Sequence, residues 1–92
     1  MQNILLGADN PQGEKLEEVL AQLQFEILGK TKKIVRDDSE PAAQVKRNNY
    51  EILRLLNQAE ELQRMSMALL EKVGPNQGPT GAPRIGVQHI GD

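Results

Sequence analysis

The side chains that could act as acid, base, nucleophile or ligand are few, and their placement does not suit catalysis. His89 is the single histidine and there is no cysteine, which excludes thiol chemistry and thiolate metal sites. His89 lies between Gln88 and Ile90 in a Gly/Pro-rich segment, with no fixed second group to orient it. The carboxylates include three adjacent pairs, Glu17-Glu18, Asp37-Asp38 and Glu60-Glu61. Neighbours on a helix point about 100° apart, so these pairs cannot share a proton or a cation as residues three or four apart can. The sequence holds no glycine-rich phosphate loop, nucleophile elbow or paired-histidine metal motif. The expectation is a non-enzyme without metal or cofactor.

Charge offers a different kind of chemistry, because it is unevenly spread. Residues 1–28 carry five acids and one base, and residues 30–54 carry seven bases and four acids. If the chain folds back on itself near residue 38, Lys30, Lys32, Lys33, Arg36, Lys46 and Arg47 gather at one tip, a candidate basic contact for phosphates or an acidic protein. The competing reading is local: bases near a helix C-terminus complement its dipole, and Asp37, Asp38 and Glu40 dilute the field. The net charge of −2 and pI near 5.4 favour that reading, so nucleic acid is not the expected partner. One Phe, one Tyr and no Trp leave little aromatic surface for stacking.

Helical periodicity supplies the elements that would position these groups. Asn10-Pro11 reads as a helix start, a side-chain cap followed by a residue whose missing N–H costs nothing there. Leu16, Leu20, Leu23, Ile27 and Ile34 then recur at heptad steps, with Lys30 in the remaining position, while Ala21, Phe25, Leu28 and Val35 form an adjacent stripe. The pattern stops around Arg36–Pro41, where Asp38 or Ser39 can cap a second helix. That helix ends at Gly74-Pro75. It carries Leu55, Leu62 and Leu69 on one stripe and Ile52, Leu56 and Leu70 on another, with Ala59 and Ser66 shared between them. Asn49, between Val45 and Ile52, is a candidate register-fixing polar residue. The resulting organisation is a short lead over 1–10, a helical hairpin over 11–73 (helix about 11–36, turn about 37–40, helix about 40–73) and a flexible Gly/Pro-rich tail over 74–92.

Two helices can shelter only their facing side chains, and here each helix has two apolar stripes. The fold class that follows is all-α: an antiparallel, coiled-coil-like hairpin associating, as a dimer, into a four-helix bundle with a disordered tail. The last turns of the longer second helix, from about Ser66 to Val73, need a cover, either the folded-back lead Ile4-Leu5-Leu6 or another chain. The expected interface is Leu16, Leu20, Leu23, Ile27, Ile52, Leu56, Leu62 and Leu69. Ile85, Val87 and Ile90 in the tail form a candidate docking motif, able to add to a partner's sheet edge.

The expected function is a protein-binding assembly module or adaptor. The mean hydropathy of −0.52 gives no membrane-spanning stretch, and Met1–Gly7 lacks a secretory signal, so the expected location is the cytoplasm or a larger particle. Two alternatives stand beside it: an export or assembly chaperone that holds a partner's helix in the same groove, and a small nucleic-acid-binding regulator using the basic tip. Asn49–Leu70 is similar in general pattern to the C-terminal helix of flagellar export chaperones, over about a quarter of the chain and without a diagnostic motif, and no family is assigned on it. On this reading Leu56→Asp dissociates or unfolds the assembly, as light scattering and circular dichroism would register; unchanged size and helicity would refute the seam assignment.

Overall fold

The computed structural model describes residues 3–74. Two helices, α1 (Leu16–Lys33) and α2 (Glu40–Val73), form the hairpin that the apolar periodicity implies. They run antiparallel, since Gln24 bonds to Glu60 while Thr31, further along α1, bonds back to Asn49 on α2. Among the described residues there is no strand beyond two isolated bridges in the lead.

The start of α1 differs from the Asn10-Pro11 reading by about five residues. Asn10 does not cap a helix: its side-chain amide donates to the carbonyls of Asn3 (2.8 Å) and Leu5 (3.1 Å) and so ties the lead together. The amide of Leu6 donates to the Glu14 carbonyl and that of Glu14 to the Ile4 carbonyl, both at 2.9 Å, while Gly7 and Asn10 bond to each other. Gly13 explains the choice. It would sit in the first turn of a helix beginning at Pro11, where glycine is a poor former, and in the lead its backbone passes so close to Leu5 that a Cβ would lie 2.6 Å from the Leu5 carbonyl carbon and oxygen. The lead thus closes on itself, and α1 begins after Lys15 without a side-chain cap, with Glu17 and Glu18 complementing the dipole of its first turn.

α1 also ends three residues earlier than the periodicity suggests, at Lys33, so the turn spans 34–39. Ser39 caps α2: its Oγ accepts from the Ala42 amide at 3.4 Å, and Pro41 occupies the first turn. Asp37 accepts the Ser39 amide at 2.9 Å, and that bond, with the Ser39 hydroxyl, holds the Asp37 carboxyl below the ordinary carboxylate range. Lys46 reaches back from α2 and donates to the carbonyls of Val35 (3.2 Å) and Asp37 (3.0 Å). The turn is therefore closed from both sides.

The helices are unequal, 18 against 34 residues, or about 27 Å against about 51 Å. With Gln24 level with Glu60, Leu16 comes level with about residue 68, and the end of α2 runs past α1. Leu69 and Val73 on that end are exposed, as are Ile4 and Leu5 of the lead. Gly13→Ala should open the lead selectively: hydrogen exchange at the Leu6 and Glu14 amides should rise by about tenfold or more while the protection of α1 and α2 holds, and unchanged exchange there would contradict the close-approach argument.

Candidate interaction surface

Burial in the hairpin is thin and partly polar. Among the described residues only Leu20 (8% exposed), Ala42 (8%) and Thr31 (1%) count as buried. The rest of the seam is half-buried: Leu16, Gln24 and Ile27 from α1, with Ile34 just past its end, against Asn49, Leu53, Leu56, Glu60, Gln63 and Met67 from α2. Two of its levels are hydrogen-bonded rather than apolar. At one, the Gln24 side-chain amide donates to Glu60 (2.8 Å) and to the Leu20 carbonyl (3.1 Å), while Arg64 approaches the other Glu60 oxygen at 2.7 Å. Bonds from Arg64 and then from Gln24 keep the Glu60 carboxyl below its ordinary range, so the Glu60 carboxylate persists further into acid than a free one would. At the other, Thr31 Oγ1 donates to the Ile27 carbonyl (2.7 Å) and accepts from the Asn49 side-chain amide (2.9 Å).

The outward side of α2 has the opposite character. Ile52, Leu55, Ala59, Leu62, Ser66, Leu69 and Val73 follow one another at steps of three and four, the spacing of a coiled-coil seam. Ala59 is half-buried and the others are exposed, Leu62 by 64% and Leu69 by 61%. At about 100° per residue this row lies roughly a quarter turn around α2 from the row that meets α1.

The residues singled out from sequence divide between these rows. Leu16, Leu20, Ile27 and Leu56 lie in the seam between α1 and α2, whereas Leu23, Ile52, Leu62 and Leu69 are exposed. Asn49 is turned towards α1, beside the exposed Val45 and Ile52. Phe25, Leu28 and Val35 also remain exposed on α1. At the tip, Lys30, Lys32, Lys33 and Arg36 are exposed, Lys46 is engaged with the turn carbonyls, and Arg47 bonds to Gln44 (2.8 Å) and Glu40 (3.5 Å). Ile85, Val87, Ile90 and His89 lie outside the described residues. Sequence reasoning missed Gln24, Thr31 and Leu53. Gln24 and Thr31 are seven apart and interleave with Leu20 and Ile27, a spacing that marks a polar row within an apolar face.

Among the described residues no group of three His, Cys, Asp or Glu is placed to hold a metal ion, and no helix is long and apolar enough to cross a membrane. No family model matches the chain, and neither a curated protein nor a solved structure matches it.

The geometry combines a polar seam that aligns α1 with α2 and, beside it, an exposed apolar row on α2. The Thr31–Asn49 pair should behave as a unit. Thr31→Val alone strands the Asn49 amide and should cost about 1–3 kcal/mol in urea unfolding, Asn49→Leu alone about 1 kcal/mol, and the double variant should return to within about 1 kcal/mol of wild type. Simple addition of the two single effects would contradict the coupling.

Proposed function

We propose that this protein is a non-enzymatic assembly module whose hairpin dimerises into a four-helix bundle through the apolar row on α2, leaving the tail, or the face of the overhanging end of α2 turned away from that row, to dock another protein. The observation that carries this reading is the exposed heptad row, together with the shortage of buried apolar residues among the described ones. A row of leucines at coiled-coil spacing beside a polar seam is the reverse of what a solitary hairpin needs, and it suits a helix with neighbours on two sides. Exposed contiguous apolar surface on a small chain marks an interaction site.

The use of Lys46 and Arg47 within the chain supports treating the tip as structural, with Lys30, Lys32, Lys33 and Arg36 left as its free basic surface. The cytoplasm or a larger particle is the proposed setting. Light scattering at low micromolar concentration should give about 20 kDa, twice the 10.2 kDa chain. Leu62→Asp, which alters no residue of the α1–α2 seam, should return the mass to that of a single chain and lower helicity. A fully helical wild-type monomer would overturn self-association and leave the row to another protein's helix, the chaperone reading.

A further inference from the structure

Resting on that self-association, we infer that the occupant of the α2 row is a second copy lying antiparallel, related by a twofold axis perpendicular to the helices that passes level with Glu60 and Glu61. Four observations converge on this arrangement rather than a parallel one.

The first is side-chain size along the row. With Ile52, Ala59, Ser66 and Val73 at one heptad position and Leu55, Leu62 and Leu69 at the other, an antiparallel partner centred between residues 60 and 61 sets Ile52 against the second copy's Leu69, Leu55 against its Ser66 and Ala59 against its Leu62. Ala59 and Ser66 then each face a leucine, and the larger Ile52–Leu69 layers flank these central ones. A parallel partner would put Ala59 on Ala59 and Ser66 on Ser66, two layers too small to fill beside layers of paired leucines.

The second is charge beside the row. Glu51 and Lys72 occupy the same flanking heptad position, and both are exposed. Antiparallel helices bring that position of one copy against its counterpart in the other, so Glu51 meets the second copy's Lys72 and the reverse. A parallel pairing sets Glu51 beside Leu56 instead. In the single chain Glu51 is paired with Arg54, an exposed partner that it can keep or share.

The third is closure. Because the row lies about a quarter turn from α1 around α2, a perpendicular twofold stacks one α1 beside the other and completes a square of four helices. A twofold along the helices would send the two α1 helices to opposite sides. The handedness of the helices puts Leu23, 41% exposed and beside the Gln24–Glu60 level, on the same side as the row and next to the axis. Leu23 would therefore meet its own copy. The fourth is the charge distribution of the whole hairpin: residues 1–28 are net acidic and residues 30–54 net basic, and the antiparallel arrangement lays the basic tip of each copy beside the acidic end of the other.

The chain has no native cysteine, so single cysteines report the geometry without interference. Full-length Ile52→Cys and Leu69→Cys proteins, one carrying a mass tag, are mixed while reduced, allowed to exchange subunits and then oxidised, with helicity checked beforehand. The mixed 52–69 disulfide should exceed either like-with-like product by about tenfold or more, because like positions would be roughly 26 Å apart, far beyond disulfide reach. Predominant 69–69 or 52–52 product, or no cross-link in a sample that light scattering shows to be dimeric, would overturn the antiparallel assignment while leaving self-association standing. A monomeric sample would instead bring down the proposed function on which it rests. Charge reversal gives a second readout: Glu51→Lys and Lys72→Glu should each weaken dimerisation by about threefold or more, and the two together should restore it. A double variant weaker than either single change would also overturn the pairing.

Discussion

The constraint on which everything else depends is geometric: two helices touch along one line, and this chain has more apolar side chains than one line can shelter. Among the described residues, one leucine, one alanine and one threonine are buried, while Ile52, Leu55, Leu62, Leu69 and Val73 stand in water along one side of α2. Hydrophobic burial is the principal favourable term in folding, and it must offset the conformational entropy of ordering two helices. A hairpin with this distribution has left a large part of that term unused. The proposed self-association would use it.

The polar seam makes sense in the same frame. Gln24 with Glu60, and Thr31 with Asn49, contribute less stability than leucines would in those places, but each pair is satisfied at one register and broken by a slip of one turn. The hairpin's alignment is therefore set by hydrogen bonds, and its apolar row on α2 is left exposed. Lys46 and Ser39 close the turn in the same manner, by satisfying backbone groups rather than by packing. Small hydrogen-bonded devices fix one chain's shape, and the apolar surface they leave exposed is available for a second helix.

The two helices and the hairpin were legible from the sequence because the apolar period of α2 is long and regular and because Ser39, Pro41 and Gly74 mark its ends. The start of α1 was not. Asn10-Pro11 looks like a cap, and only the close approach of Gly13 to Leu5, a contact across eight residues, shows why the lead closes instead. The division of labour between the rows was also hidden. Periodicity alone places Leu55, Leu56 and Leu62 on neighbouring stripes, and which stripe meets α1 depends on polar residues such as Thr31 whose partners lie on the other helix. The basic tip could be read as a cluster, but not the engagement of Lys46 with the turn, because backbone carbonyls leave no mark in composition.

The central claim is that folding and association of this chain are linked, and the concentration dependence of its stability tests that most directly. Urea unfolding followed by circular dichroism at about 1 µM and about 100 µM protein should show a midpoint that rises with concentration, as mass action requires when the folded form is a dimer. A cooperative transition with the same midpoint at both concentrations would mean that one chain is stable alone, and the account would fail.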